Sequence, residues 1–442
     1  MTKLLENNRY LSLMLIALAI VLGVGVICLT GVNKIDFIDS DDYLLAARHL
    51  MENSAYPDCL RMPFFRPPLY PLFIASIWSV FPGSILALKL SQVILHGLTC
   101  WLLFKTAYLL TENRVISFLG ALVFTVNPIF LYNAAALQSE VLDTLLVTLV
   151  LFLFVRMLIA DKADLKNALY VGVALGLAAL CKPSALGVGI ILAAAFFVLM
   201  FKKKGSLAAS ALMVAVMFLT VLPWTFYISR SKGEFILIND AGGFNLWLGN
   251  NISWIPFFEG NFSSNEEADA YEESIVKQRQ DQIAAWETAY GYSNLSSNER
   301  EKLWQAKAIE NIRQNPGLTA RLLLLKLWIF WRPFTSPYAY STSKVILSAL
   351  VMAPLYVFGL LGLWTALRDE RSRKAAWLFI VLTIAVTAIH VVIISSMRLR
   401  LPYIDPLLSV FAGIGLAALV MKLVARWKFL PTGFMPGRQA AQ

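Results

Sequence analysis

The sequence predicts an all-α polytopic membrane protein of about ten crossings, with interfacial helices and one large hydrophilic loop domain. Three observations carry the prediction. Of 442 residues, 58% are hydrophobic and 15% charged, at a mean hydropathy of +0.65, too little polar surface for a soluble chain of this length. Several apolar runs approach or exceed the ~20 residues that cross ~30 Å of hydrocarbon. The net charge of +10 sits largely in short loops between those runs, which is a topology signal rather than a nucleic-acid surface.

The first apolar run, 11–31, follows Lys3 and Arg9. It is long for the core of a signal peptide and no A-x-A pattern follows it, so it reads as a retained helix. Further runs lie at 69–81, 85–110, 115–133, 138–159, 167–181, 184–201, 206–228, 318–333, 346–367, 375–396 and 404–425. If every run crossed from a cytoplasmic N-terminus, Lys162, Lys166 and Lys202 to Lys204 would face outward. Run 69–81 is roughly 20 Å long as a helix, short of the bilayer, and 318–333 carries Arg321, Lys326 and Arg332, costly in lipid unless they snorkel. Leaving these two in the interface moves Arg114, both lysine loops, 368–374 and the tail with Lys422, Arg426 and Lys428 to the cytoplasm. Both termini are then cytoplasmic, and the predicted location is the plasma membrane.

The same parity puts four features outside: the first loop 32–68, the turn 133–140, the Cys181–Ser184 turn and the hydrophilic stretch 229–317, in which acidic residues outnumber basic ones. The chain therefore divides into an N-terminal transmembrane module, 1–228, an extracytoplasmic cap, 229–317, and a C-terminal part, 318–442. Within the cap one helix is expected from about 264 to 290. A second starts at the capping box of Ser296 and Glu299 and closes at Asn315–Pro316. The stretch is too lightly hydrophobic for an independent core and is expected to pack on the membrane module.

Ionisable residues beside membrane segments mark substrate paths. The outer face gathers Asp36, Asp39, Asp41 and Asp42, then Glu140 and Asp143 at the start of another helix. It also gathers Arg66, Lys89, Lys182, Arg398 and Arg400. Carboxylates suit removing a proton from a hydroxyl, and cations suit a phosphate. Each has a plainer reading: Asp39 or Ser40 as a helix cap, Glu140 and Asp143 as dipole partners, the arginines as headgroup anchors. Cys28, Cys59, Cys100 and Cys181 are scattered, and His49, His96 and His390 lie far apart, so neither a disulfide framework nor a zinc site is indicated. Asp36, Asp39 and Asp41 are possible oxygen ligands for a divalent cation, but no metal or other cofactor is expected.

At these residues the chain resembles the GT-C glycosyltransferases, in particular bacterial relatives of the dolichyl-phosphate-mannose protein mannosyltransferases and the lipid A aminoarabinose transferases. The resemblance rests on Asp39-Ser40-x-x-Tyr43-x-x-Ala46-Ala47-Arg48, Arg66-Pro67-Pro68-Leu69-Tyr70-Pro71, Ala87-x-Lys89-Leu90, Asn127-Pro128 and Ser139-Glu140. It continues in Gly176-Leu177, Lys182-Pro183, Gly243-x-Asn245-Leu246, Gly249-Asn250 and Arg398-x-Arg400-x-Pro402. The family's first-loop pair is often Asp-Glu; here it is Asp39-Ser40, which leaves the catalytic place open between Asp39 and Asp42. The resemblance implies a membrane transferase that takes a sugar from a polyprenyl-phosphate carrier on the extracytoplasmic side and inverts the anomeric centre. Its acceptor would be a glycan, lipid or protein, and nucleic acid is not expected as a partner. Asp39 or Asp42 would be the base. Lys89, Lys182, Arg398, Arg400 or Arg66 would hold the donor phosphate, and Glu140, Asp143 and Tyr43 would orient substrate. The competing reading is a transporter or flippase of a lipid-linked intermediate, against which the chain shows no repeated half.

Overall fold

The computed structural model describes residues 8–35, 38–60, 64–260, 262–338 and 340–427; Lys3, Asp36 and Lys428 lie outside them. All regular structure among these residues is helical. The N-terminal half runs α1 (Asn8–Thr30), α2 (Ile38–Met51), α3 (Leu69–Trp78), α4 (Ile85–Thr111), α5 (Arg114–Thr125), α6 (Pro128–Ala135), α7 (Glu140–Ile159), α8 (Leu165–Cys181), α9 (Ser184–Met200) and α10 (Ser206–Lys232). The hydrophilic stretch holds α11 (Gly242–Gly249), α12 (Ile255–Glu259), α13 (Asn265–Tyr290) and α14 (Ser297–Gln314). The chain ends in α15 (Pro316–Trp331), α16 (Thr342–Arg368), α17 (Arg373–Val392), α18 (Met397–Arg400) and α19 (Asp405–Trp427).

Among the described residues seven helices are long and apolar enough to cross a membrane: α1, α4, α7, α10, α16, α17 and α19. The run 115–133, expected as one crossing, is instead two helices, α5 and α6, bent by 55°. The cause is local. Pro128 brings no N–H to the preceding turn, and the Asn127 side chain accepts the Ile129 N–H to start a new helix. Counting that pair as one span gives eight. Helices α8 and α9, at 17 residues each, are apolar but shorter, about 25 Å. Helix α3 has 10 residues, about 15 Å or half the hydrocarbon thickness.

Close backbone approaches knit the bundle. A Cβ at Gly362 of α16 would overlap the Phe411 carbonyl of α19, and one at Gly413 would overlap Gly120 of α5. Small residues that let helix backbones touch are a usual solution where lipid offers no hydrophobic drive. Lys326 of α15 does not snorkel. It is 1% exposed and its ammonium donates to the carbonyls of Val392 (3.2 Å) and Ile393 (3.3 Å) at the end of α17, where a helix leaves carbonyls unsatisfied and favours a cation.

The hydrophilic stretch carries an aromatic core of its own, which so few apolar residues did not suggest. Trp304 lies 4.6 Å, centroid to centroid, from both Trp247 and Trp286, and its indole N–H donates to Tyr292 Oη at 2.8 Å. Phe64, from the first loop, joins that cluster. The expected capping box is present: Ser296 and Glu299 satisfy each other's backbone N–H groups.

The polar connections segregate to two ends. At one end Asp161 bridges to Lys203 and to Lys374 (2.5 Å), and Glu112 bridges to Arg371 (2.8 Å). The first loop, the 136–140 turn, the Lys182 turn and the hydrophilic stretch meet at the other.

Candidate functional site

Helix α2 supplies one face of the site. Asp39, Asp42 and Tyr43, at i, i+3 and i+4, point together, whereas Asp41 faces out. Ser40 is buried, and its hydroxyl donates to the Leu137 carbonyl at 2.8 Å. The segment before α3 brings in Arg66. Its position is fixed from behind: the Phe65 N–H donates to Asp240 Oδ1 at 3.0 Å, tying the segment to the hydrophilic stretch. Glu140 opens α7, Lys182 is the C-cap of α8, and Arg398 lies in the short α18.

These side chains form one alternating chain of charge. Asp42 binds Arg66 at 2.8 Å; the same guanidinium binds Asp39 at 2.5 Å. The other oxygen of Asp39 takes Arg398 at 2.7 Å, Arg398 reaches Glu140 at 2.8 Å, and Lys182 completes the row on Glu140 at 3.0 Å. Three carboxylates face three cations, so their charges balance. Arg66 also stacks over the rings of Tyr43 and Phe64, each 5.4 Å from the guanidinium carbon. The Tyr43 hydroxyl shares a hydrogen bond of 3.0 Å with Ser139 Oγ.

Exposure separates the members. Asp42 and Glu140 side chains are 2% exposed, against 22% for Asp39 and 34% for Arg398. Both Asp42 oxygens are engaged, one by the Leu60 N–H at 2.8 Å and the other by Arg66. Asp39 and Arg398 are therefore the most exposed members of the row. Burial works to raise the Asp39 pKa, but the Arg398 and Arg66 guanidiniums outweigh it and hold the carboxyl below its ordinary range.

Three other expected site residues make no ion pair with the row. Lys89 is fully buried and donates to the carbonyls of Gly31 (2.8 Å) and Lys34 (2.9 Å), holding the loop that leads into α2. Arg400 turns away from Arg398 into the core, where it pairs with Asp405 at 2.9 Å and donates to the Phe330 carbonyl at 2.5 Å. Asp143 sits one turn below Glu140, fully buried, with no hydrogen bond to either carboxylate oxygen among the described residues. No group of three or more His, Cys, Asp or Glu side chains among the described residues is arranged to hold a metal.

Two residues the sequence did not single out complete the frame. Gln138 Oε1 accepts from Arg398 Nη1 at 3.1 Å, and Asp240 anchors the Arg66 segment. Only their neighbours, Ser139-Glu140 and Gly243-x-Asn245, carried a motif. The Gly249-Asn250 motif that follows serves packing. Gly249 lies where a Cβ would strike the Ile393 carbonyl, and Asn250 Nδ2 donates to the Val392 carbonyl at 3.0 Å. With Lys326, it pins the strand of chain that carries Arg398.

Residues 65–224 match the family model described as dolichyl-phosphate-mannose-protein mannosyltransferase. The matched segment contains Arg66, Glu140 and Lys182; Asp39 and Arg398 flank it. Among solved structures, the archaeal oligosaccharyltransferase AglB from Archaeoglobus fulgidus, in complex with an inhibitory peptide and a dolichol-phosphate, is similar with a TM-score of 0.55 at 14% identity over 98% of this chain and 53% of that one. The Archaeoglobus fulgidus oligosaccharyltransferase tethered to an acceptor peptide gives 0.55 and 14% over 95% and 50%. ArnT from Cupriavidus metallidurans bound to undecaprenyl phosphate gives 0.43 and 13% over 97% and 82%. The chain thus spans about half the length of the oligosaccharyltransferases, whose fold it shares across nearly all of its own. No curated protein sequence matches it. The all-α polytopic bundle expected from the sequence is borne out by the shared fold, and the family model matches the part of the chain that carries Arg66, Glu140 and Lys182.

Proposed function

We propose that this protein is an inverting glycosyltransferase that moves a sugar from a polyprenyl-phosphate carrier to an acceptor on the extracytoplasmic face of the membrane. One observation carries the reading: an alternating row of carboxylates and cations at one end of a membrane bundle, most open at Asp39 and Arg398. The family match over 65–224 and the dolichol-phosphate in the AglB complex support a lipid-linked donor.

The chemistry follows from charge. The cluster's own charges balance, so an arriving phosphate must draw a cation away from a carboxylate. Arg398 is the most exposed of the three cations and is the one to move. It exchanges its bond to Asp39 for a phosphate oxygen, with Lys182 beside it. Asp39 then loses a lowering influence and gains basicity as the donor seats. The acceptor's O–H or N–H gives its proton to Asp39 while its lone pair forms the bond to the anomeric carbon. On the opposite face the carbon–oxygen bond to phosphate breaks, and the electron pair leaves on polyprenyl phosphate, stabilised by Arg398 and Lys182. Glu140 holds both cations in place, and Asp42 holds Arg66.

The bundle is oriented with the basic end inside. Ten crossings result if the bent α5–α6 pair, α8 and α9 each span, with α3 and α15 interfacial. The meeting of Asp161, Lys203, Lys374 and Arg371 at one end supports that parity. The test is transfer by the purified protein from a panel of synthetic polyprenyl-phosphate sugars, reading the product's anomeric configuration. Inverted product is expected; a retained configuration refutes the mechanism. Movement of a lipid-linked sugar across a bilayer without transfer would favour the transporter.

A further inference from the structure

A small cavity lies beside Glu140 where α4, α5, α6 and α7 meet. Phe124 and Phe130, on either side of the α5–α6 bend, line it with His96, Thr99, Asn133 and Thr144. The space open to the centre of a water molecule is about 10 Å³, close to the least that one water needs. Glu140 also lines it, and its two oxygens are unequally served. Arg398 at 2.8 Å and Lys182 at 3.0 Å both bind Oε1. Oε2 is buried and has no hydrogen-bond partner among the described residues. A buried carboxylate oxygen is seldom left so, because nothing there replaces the water it gave up. Thr144 and Thr99 spend their hydroxyl protons on the carbonyls of Glu140 (2.6 Å) and Leu95 (2.9 Å), so toward the cavity their oxygens accept. Asn133 gives an amide proton to the Ile129 carbonyl at 2.8 Å.

We infer that this cavity is the binding site of one ordered water that donates to Glu140 Oε2. A donor is what the carboxylate oxygen lacks, and water is the donor that fits the space. Its second O–H has the oxygens of Thr99, Thr144 and Asn133 as acceptors, which gives it the two or more polar partners a buried water takes. Two phenyl rings in the wall leave too few oxygens for a hard cation. A bonded Oε2 fixes the plane of the carboxylate, and with it the direction in which Oε1 holds Arg398 and Lys182. The water thus braces the charge row from behind, and its occupancy does not depend on the proposed reaction.

A structure of the full chain in lipid nanodiscs, at a resolution that shows ordered water, tests this. Wild type should show one peak in the cavity at about 2.5–3.0 Å from Glu140 Oε2. The Thr99→Val/Thr144→Val variant keeps side-chain size and removes both hydroxyls, and the peak should be lost. Thr99→Ser/Thr144→Ser keeps both oxygens and should retain it. A wild-type cavity without a peak overturns the inference, whether or not the variants fold. A peak that stays at full strength in the valine variant overturns it too, as does one ringed by oxygens at the distances of a bound cation.

Discussion

Replacing Arg398 with glutamine removes the more exposed of the two arginines that each bridge two carboxylates. Its contacts are Asp39 at 2.7 Å, Glu140 at 2.8 Å and Gln138 at 3.1 Å. At a charge separation of ~4 Å and an effective dielectric near 20, each ion pair amounts to about 4 kcal/mol of Coulomb energy. The arginine is 34% exposed, so solvent screening cuts the realised value well below that. The variant leaves Asp39, Asp42 and Glu140 facing only Arg66 and Lys182, a net charge of −1 where a phosphate must bind. Losing one preorganised donor to the leaving group costs ~3–4 kcal/mol, and the excess negative charge weakens donor binding further. The expected result is a fall of kcat/KM on the order of 10²–10³, shared between lower kcat and higher KM. Arg398→Lys restores charge without the fork that spans three partners, and should recover only part of the loss. The assay is transfer from a synthetic donor at several concentrations, with thermal midpoints recorded in the same detergent. An Arg398→Gln variant that folds and transfers within about threefold of wild type would refute the assignment.

Asp42→Asn should act mainly on stability. It loosens a buried pair and leaves Arg66 to Asp39 alone, at a cost of about 2–3 kcal/mol, seen as a lower thermal midpoint; an unchanged midpoint contradicts this. Asp240 gives a pH signature, because burial, opposed by bonds from Phe65 and Ser297, raises its pKa from 3.8 to about 6. The folded protein keeps that proton to higher pH than the unfolded chain, so the stabilisation is present below pH ~4 and is lost as pH rises through ~6. Asp240→Asn should therefore gain stability relative to wild type as pH climbs from about 4 to 7, and a pH-independent difference would argue against it. Ser40→Glu places a carboxylate against the Leu137 carbonyl that Ser40 now serves. Thermal unfolding should show a loss of ~2 kcal/mol or more.

The helices were legible because membrane thickness dictates apolar length, and the two ends were legible because lysines and arginines avoid crossing. The break at Asn127–Pro128 was visible as a motif, but not as a bend: a hydropathy count does not see a missing N–H. Within the site, residue type identified candidates and three-dimensional neighbours sorted them. Arg398 and Arg400 sit two positions apart in one motif, yet only the first faces Asp39. Lys89 carries the charge expected of a phosphate ligand and serves two backbone carbonyls. Asp39 and Asp42 look alike in sequence and differ in what already occupies their oxygens. Gln138 and Asp240 had no signal, since a single amide or carboxylate becomes informative only once its partner from a distant segment is known.

The central claim is that Asp39 takes the acceptor's proton, and Asp39→Asn tests it most directly. The amide cannot serve as base, while the site's net charge rises by one and donor binding is kept or strengthened. Steady-state transfer, with binding of a fluorescent donor measured alongside, should show kcat reduced by about 10²–10⁴ with donor affinity undiminished. Normal turnover by the folded Asp39→Asn protein, or loss of donor binding with kcat unchanged at saturation, would contradict the account.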